Sequence, residues 1–374
     1  MKTKLLTKIM LLLCALVAGS GSVWADNYYV KVTQESDLTI GATYVFLADE
    51  NSNHYLAVGD YAKRLNTATE GFSISGNVLT VTTATPFEVV LGGKSGAYTM
   101  LFTASPNNKY LGKGSANTEF SSSTSSTSSI NQYTWNYNNN GLYSNYKDPG
   151  KSGKDHTNRY IGLNSSTPAI GPYNNTTSYP IASLYKKVVP AAISSVGWTT
   201  FVSVFPLDFT DYTDANAYMV TGASGSSLTL SPVTGTVPAE TPLLLSGDNN
   251  ETVYIPAVAN SETNVSANKL KKGTGASINE ATKYVLVARD SKAVFAPTDA
   301  NAATVPVGKA YLDLEGVSLA RGFVLDDSET TGIQNINSES KGFFNGEFYN
   351  LSGQRVTKPG KGLYIVNGKK VIIK

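Results

Sequence analysis

Apolar residues along this chain occur in short runs, which either alternate with polar residues or are rich in β-branched side chains. Glycine, asparagine, proline and serine separate these runs, as turn residues separate β-strands. No long stretch carries the spacing of three and four residues that an amphipathic helix requires. The runs 283–287 and 293–295, for example, flank Asp290-Ser291 and predict a β-hairpin. The pattern therefore predicts an all-β protein.

The length of 374 residues exceeds what one hydrophobic core normally serves, so we expect more than one domain. The clearest break lies at residues 186–190, where a strand-like run gives way to Pro190. A second break, rich in polar turn residues, lies between residues 326 and 340. The predicted segments are a leader over 1–25, a first β domain over 26–187, a second β domain over 188–327, and a linker with a small β module over 328–374.

The first domain repeats one phrase three times: asparagine, then an aromatic residue, an aliphatic residue and a glycine. The aromatic residues of the phrase are Tyr55, Tyr110 and Tyr160, and they recur after 55 and 50 residues. A near-constant period indicates one structural unit used several times. Three such units closed on themselves predict a β-trefoil-like domain. A β-sandwich is the alternative, because the same phrase suits β-hairpins in general. The alternating runs of the second domain predict a β-sandwich-like spacer.

The N-terminus has the parts of a secretory signal peptide. Residues 2–8 carry three lysines, residues 9–17 are apolar, and Ala25 ends an A-x-A-like cleavage site. The apolar run is too short to span a bilayer, so we expect cleavage after Ala25 and no transmembrane anchor in the mature chain. A lipoprotein at Cys14 is a less favoured alternative, because Leu13 is bulky for the residue before a lipidated cysteine.

Cleavage changes the available chemistry, because it removes Cys14, the only cysteine. The mature chain then has no disulfide, no thiolate nucleophile and no cysteine ligand for a metal. It keeps 27 basic residues against 28 acidic ones, a net charge of −1. A near-neutral surface without basic runs argues against nucleic acid and against an anionic membrane as partners.

The C-terminal segment predicts two small hairpins. Their strand-like runs and turns are residues 348–350, Ser352-Gly353, 354–356, 363–366, Asn367-Gly368 and 371–373. Asn-Gly supplies the two positive-φ residues of a type I′ turn. The most distinctive residues of the segment are Leu351, Gly353, Gln354, Arg355, Val356, Gly362, Tyr364, Ile365, Val366, Gly368, Lys369, Lys370, Val371 and Lys374.

In these residues the segment resembles the C-terminal sorting domain of Bacteroidetes cell-surface proteins. The resemblance implies export by type IX secretion, with the secretion machinery as a partner and the outer-membrane surface or the extracellular space as destination. The residues Leu184–Lys187, which end the first domain, are likewise similar to the ends of N-terminal modules in secreted proteins of this phylum. Neither resemblance implies a ligand.

Catalytic chemistry is scarce in the mature chain. Its two histidines, His54 and His156, stand in no HExxH arrangement, and we expect both in exposed turns and no metal site. The sequence also lacks a G-x-S-x-G elbow and a Gly-rich phosphate loop between a strand and a helix. Paired carboxylates need no histidine, and the candidate pairs are Asp60 with Glu70 and Asp208 with Asp211. We therefore expect no cofactor and no enzymatic activity, with carboxylate-based glycoside hydrolysis as a less favoured alternative.

Tyrosine is concentrated in the first domain, which holds fifteen of the 22 tyrosines among serine, asparagine, threonine and glycine. Recognition loops use this mixture, because tyrosine gives a large contact area at low entropic cost. A basic loop over residues 147–159 has the charge to fit an acidic groove, although a solvated insertion between two strands is the favoured interpretation. The candidate ligand-binding residues are Trp135, Tyr137, Tyr143, Tyr146, Lys151, Lys154, Arg159 and Tyr173. Aromatic strand filling explains many of the tyrosines equally well.

These observations predict a non-enzymatic binding protein, surface-displayed or secreted, that captures an extracellular macromolecule. A host or environmental protein is favoured, including a soluble protease that docks on the lysine-rich loop. The alternative is a glycan-binding adhesin or lectin. Sugar-binding trefoils of the ricin type carry Gln-x-Trp in each repeat, and this chain has no such triplet, which weakens the glycan alternative.

Overall fold

The structure is a computed structural model and confirms the all-β class. It describes residues 26–114, 118–127, 131–138, 141–144, 146, 159–173, 178–261, 263–299, 301–315, 322–325, 334–336, 348–350, 355–356, 362–366 and 369–373. Apart from one 3-10 turn over Glu35–Asp37, the regular structure of these residues consists of β-strands. The chain divides into two compact units, Met1–Val324 and Leu325–Lys374.

Fifteen strands build the first region of the larger unit. They are β1 (Asn27–Lys31), β2 (Thr43–Glu50), β3 (Asn53–Val58), β4 (Leu65–Ala68), β5 (Phe72–Ser75), β6 (Val78–Val81), β7 (Val89–Lys94), β8 (Ala97–Phe102), β9 (Lys109–Lys113), β10 (Phe120–Ser123), β11 (Trp135–Asn138), β12 (Gly141–Ser144), β13 (Tyr160–Asn164), β14 (Ala169–Tyr173) and β15 (Ala182–Ala192). Their antiparallel pairs run in the order β10-β9-β8-β11-β12-β13-β14-β4-β3-β2-β15-β1-β6-β5, and β7 pairs with both β2 and β8.

The phrase repeated in the sequence starts a hairpin each time. Its three copies lie in β3, β9 and β13, which pair with β4, β10 and β14 respectively. The glycine of the phrase allows close approach in two copies: a Cβ on Gly112 would lie 2.3 Å from Cδ1 of Tyr133, and one on Gly162 would lie 2.8 Å from the carbonyl oxygen of Pro180. The three copies thus share a local structure, and closure into a trefoil stays a prediction.

Strand β2 has a continuous apolar sequence because both of its faces are buried. Tyr44, Phe46 and Ala48 point into a large core cluster, and Val45 and Leu47 point into a second cluster on the opposite face. A strand that is buried on both faces needs no alternation of polar residues. The large cluster contains Trp135, the largest fully buried side chain among the described residues.

Fourteen further strands form the second region. They are β16 (Trp198–Phe201), β17 (Leu207–Asp208), β18 (Ala215–Ser224), β19 (Ser227–Val233), β20 (Thr236–Val237), β21 (Leu243–Gly247), β22 (Thr252–Pro256), β23 (Leu270–Lys272), β24 (Ser277–Ile278), β25 (Lys283–Arg289), β26 (Lys292–Pro297), β27 (Ala303–Thr304), β28 (Ala310–Asp313) and β29 (Phe323–Leu325). They make sheets in the orders β16-β21-β18-β19 and β23-β28-β25-β26-β29, with the small pairs β17-β20 and β24-β27.

The predicted hairpin at Asp290-Ser291 is confirmed. It joins β25 to β26, with Arg289 opposite Lys292, and both turn residues have positive φ angles of 51° and 60°. Two central residues with positive φ define the type I′ turn, whose twist matches that of the flanking strands.

The two regions share strand β15, which crosses the predicted boundary at residue 187. Its first part pairs with β1 and β2, and its last part, from Val188 to Ala192, pairs with β22. The strand was expected to end before Pro190, and this expectation is wrong. Pro190 lies beyond the last partner of β1 and faces only β22. A proline is tolerated there because the open side of the strand needs no N–H donor.

Side chains also tie the two regions together. The Glu88 carboxylate accepts hydrogen bonds from the Tyr29 hydroxyl at 2.7 Å and from the Lys187 ammonium at 2.9 Å. That ammonium lies 4.7 Å from the ring centroid of Phe205 in the second region, within cation–π range. The shared strand and these contacts join the two cores, and the assignment of domain boundaries stays a prediction.

The smaller unit is a five-stranded sheet. Its strands are β30 (Gln334–Ile336), β31 (Phe348–Tyr349), β32 (Arg355–Val356), β33 (Gly362–Val366) and β34 (Lys369–Ile373), in the order β30-β34-β33-β31-β32. The predicted strand-like runs coincide with β31 to β34, and Val366 faces Lys369 across a two-residue connection. Of the residues that carry the resemblance to sorting domains, Arg355, Val356, Gly362, Tyr364 and Lys369 lie in these strands, whereas Gly353, Gln354, Gly368 and Lys374 lie outside the described residues.

Candidate functional site

The structure corrects the expected role of Trp135 as a contact residue. Its side chain has 0% exposure and lies in the core of the first region. The indole Nε1 donates a hydrogen bond to the Leu111 carbonyl oxygen at 2.9 Å, and the ring centroid lies 6.1 Å from that of Phe120. A buried tryptophan whose only polar group is satisfied by the backbone serves packing rather than recognition.

Three other candidates are buried as well, which corrects their expected exposure. Tyr146 is 4% exposed, Arg159 is 7% exposed and Tyr173 is 2% exposed. Burial lowers the pKa of Arg159, because desolvation penalises the guanidinium. The candidates Lys151 and Lys154 lie outside the described residues.

Tyr137 is half-buried and packs against the core cluster of the first region. Its hydroxyl is shielded from water and has no hydrogen-bond partner among the described residues. Burial, with smaller contributions from the carboxylates of Asp37 and Glu35, raises the pKa of Tyr137 to about 12. Its phenol is therefore neutral at physiological pH.

The structure brings two of the candidates together in what we call the tyrosine row: Tyr143, Tyr160, Tyr173 and Tyr179. Tyr143 on β12 lies directly opposite Tyr160 on β13, which lies opposite Tyr173 on β14. The ring centroids of Tyr143 and Tyr160 are 5.4 Å apart, and the ring of Tyr173 stacks on that of Tyr179 at 4.3 Å with an interplanar angle of 11°. Directly opposed residues project from the same face of a sheet, so the row is a consequence of strand register.

The tyrosine row is partly open to solvent. Tyr143, Tyr160 and Tyr179 are half-buried, whereas Tyr173 is buried and donates its hydroxyl to the Ala169 carbonyl oxygen at 3.4 Å. Burial raises the pKa of Tyr173. Such rings present an apolar face with a polar edge, as residues at contact surfaces do. The strands of Tyr143 and Tyr160 are the two that flank the lysine-rich loop in the sequence.

No family model, characterised protein or solved structure matches the chain. No helix of the described residues is long and apolar enough to cross a membrane.

Sequence reasoning did not select Tyr160 and Tyr179. A signal for Tyr160 was present, because it is the aromatic residue of the third repeated phrase and begins β13. Tyr179 lies in a turn ahead of Pro180, and its contact with Tyr173 depends on tertiary packing.

The remaining histidine and carboxylate candidates among the described residues are exposed or already bond to a neighbouring residue. His54 lies in β3 and not in a turn, and its Nδ1 is 2.7 Å from the Asp49 carboxylate at an exposed position. Asp208 is 7% exposed and accepts the Thr210 N–H at 2.8 Å, a local turn contact, whereas Asp211 is exposed. No group of three or more potential metal ligands occurs within the part of the chain that the structure describes.

The candidate pair Asp60 and Glu70 is exposed. Glu70 lines a shallow depression of about 460 Å³, together with Gly59 and Thr85. A general acid in a glycosidase needs a site that shields it from water and raises its pKa. An exposed carboxylate on an open depression lacks that shielding.

Proposed function

We propose that this protein is a non-enzymatic binding protein, exported to the cell surface or the medium, that captures an extracellular macromolecule. The favoured ligand is a host or environmental protein. The observation that carries the proposal is the tyrosine row, because it places partly exposed aromatic rings side by side on a sheet.

The rings of the tyrosine row suit recognition for two physical reasons. Tyr143 and Tyr160 lie on paired strands whose backbones are held by hydrogen bonds, so little backbone entropy is lost when a partner covers them. Tyrosine is also enriched among the residues that dominate binding energy, since it combines apolar area with a hydroxyl. The ligand would desolvate Tyr143 and Tyr160 at the centre of the contact and meet polar side chains at the rim.

Export is the second part of the proposal. The leader over residues 1–25 and the resemblance of the C-terminal segment to type IX sorting domains support it. In cells with type IX secretion, deletion of residues 346–374 is expected to retain the protein in the periplasm. Unchanged display at the surface would contradict this part alone, without bearing on ligand capture.

Ligand capture is tested with the mature full-length protein as bait in host fluid. We expect a specific protein to be recovered, and the double variant Tyr143→Ala/Tyr160→Ala to bind it at least tenfold more weakly, because each hot-spot residue contributes on the order of 2 kcal/mol. The matched control is Tyr218→Ala, since Tyr218 is also a half-buried tyrosine in an aromatic contact, 5.8 Å from the ring of Trp198, but lies in the second region.

Two outcomes would contradict the proposal. Binding to a glycan array that depends on Tyr143 and Tyr160, without recovery of a protein, would support a lectin instead, because tyrosine rings also stack on sugars. Turnover of a polysaccharide that is lost on a single Asp or Glu substitution would establish a hydrolase.

A further inference from the structure

Lys309 is a largely buried amine next to an exposed turn. It follows Val307, which is 62% exposed, and precedes strand β28. Its backbone is held on both sides, since its N–H donates to the Pro306 carbonyl oxygen at 3.1 Å and its own carbonyl oxygen accepts the Gly273 N–H at 2.7 Å. The residue is not sealed from solvent, so a small reagent can reach this part of the surface.

The contact of the amine is neutral. Its Nζ donates to Oγ1 of Thr199 at 2.8 Å, and that hydroxyl lies 3.4 Å from the Thr200 carbonyl oxygen, to which it donates. No ion pair of Lys309 occurs among the described residues. The ionisable residues on the strands beside it are Lys271 and Lys272 on β23, Tyr311 and Asp313 on β28, and Lys283, Tyr284 and Arg289 on β25, and Glu240 contacts Lys272.

These neighbours leave the amine without compensation for its lost hydration. The Glu240 carboxylate binds Lys272 at 2.5 Å, and no carboxylate contributes to the pKa of Lys309. Desolvation alone lowers the pKa of Lys309 from 10.5 to about 8. At pH 7 about a tenth of the Lys309 side chains are then neutral, roughly 300-fold more than for a lysine of ordinary pKa.

The neutral amine keeps its lone pair available. It needs only one N–H bond to maintain the contact with Thr199, and the hydroxyl accepts that bond in either protonation state. Desolvation of a lysine in an apolar setting is a recognised way of activating it as a nucleophile.

We propose that Lys309 is a preferred site of covalent acylation by small activated acyl donors, such as acyl phosphates, thioesters and activated esters. The lone pair of Nζ attacks the acyl carbonyl carbon, the N–C bond forms, and the bond from that carbon to the leaving group breaks. The leaving group takes the electron pair, and the proton lost from nitrogen passes to the leaving group or to water. The product is a neutral amide, so the protein no longer has to bury a charge at this position.

The test treats the mature full-length protein with limiting N-acetoxysulfosuccinimide at pH 7 and at pH 10. Unreacted lysines are then labelled with heavy acetyl groups after unfolding, and peptides are quantified by mass spectrometry. Lys271 is the internal reference, because it is exposed on the neighbouring strand β23. At pH 7 we expect Lys309 to react about tenfold faster than Lys271. This is less than the roughly 300-fold excess of neutral amine, because a less basic amine is a weaker nucleophile and burial restricts access of the reagent.

The preference should reverse at pH 10, where neutral amine is plentiful at both positions and burial alone slows Lys309. It should also vanish when the reaction is carried out in denaturant, because unfolding restores hydration. Acetylation of Lys309 at pH 7 that is no faster than that of Lys271 overturns the proposal.

Discussion

Replacement of Lys309 by methionine should stabilise this protein at neutral pH. Methionine keeps an unbranched stem in the same space and removes the charge whose burial is unfavourable. The folded-state pKa of Lys309 is about 8, below the ordinary value of 10.5. Between these two pH values the unfolded chain holds a proton that the folded chain has released. The stability of the wild-type protein must therefore rise with pH across this window and be lowest below it.

The magnitude follows from the same two values. The pKa difference between 10.5 and about 8 means that burial of the charged amine lowers the free energy of unfolding at pH 7 by about 3 kcal/mol, at about 1.4 kcal/mol per pH unit. Loss of the hydrogen bond to Thr199 offsets about 1 kcal/mol of the gain from removing that charge. Lys309→Met should thus be more stable than wild type by about 2 kcal/mol at pH 7, and the advantage should fall by about 2 kcal/mol on raising the pH to about 9.5.

Urea unfolding at pH 7.0, 8.5 and 9.5 measures the effect as a difference between the two proteins. The difference matters because buried tyrosines such as Tyr44 have raised pKa values, and their ionisation in the unfolded chain reduces the stability of both proteins near pH 10. Lys272→Met is the control, since Lys272 is exposed and paired with Glu240. An advantage of Lys309→Met that does not change with pH would refute the assignment of an uncompensated buried amine.

Three further changes test the packing. Trp135→Phe should lower the free energy of unfolding in urea by about 2 kcal/mol, because it leaves a cavity and removes the hydrogen bond to the Leu111 carbonyl oxygen. An unchanged unfolding midpoint would contradict the burial of Trp135. Glu88→Gln and Lys187→Met, combined in a double-mutant cycle, should couple by about 1 kcal/mol, since Lys187 is only 13% exposed. Additive effects would show that this ion pair does not contribute to stability. Gly71→Ala should lower the free energy of unfolding by at least about 1 kcal/mol more than Gly76→Ala. Both glycines have positive φ, but a Cβ on Gly71 would lie 2.7 Å from the backbone of residue 84, whereas a Cβ on Gly76 would meet open space. Equal losses would contradict the close approach at Gly71.

The leader-like N-terminus and the resemblance of the C-terminal segment support the proposed export, and the tyrosine row supports the proposed capture of a ligand. A bound enzyme or host protein would be concentrated at the cell surface without any change in its chemistry.

The sequence alone determined the local structure. Short apolar runs separated by turn residues identified the strands, and the Asp290-Ser291 turn was placed correctly because strand alternation and turn chemistry act over a few residues. The repeated phrase likewise predicted three similar hairpins, which exist at β3, β9 and β13. These features need no information from distant parts of the chain.

Only the tertiary structure decided which aromatic residues face solvent. Trp135 and Tyr143 occur in the same polar, tyrosine-rich sequence, yet the first is fully buried and the second lies in the tyrosine row, because strand register and not composition sets the face of each side chain. The course of β15 through Pro190 required knowing that one of its edges is open. Lys309 donates its ammonium hydrogen bond to Thr199, 110 positions away in the chain, and no local sequence pattern encodes the burial of an amine at such a long-range contact.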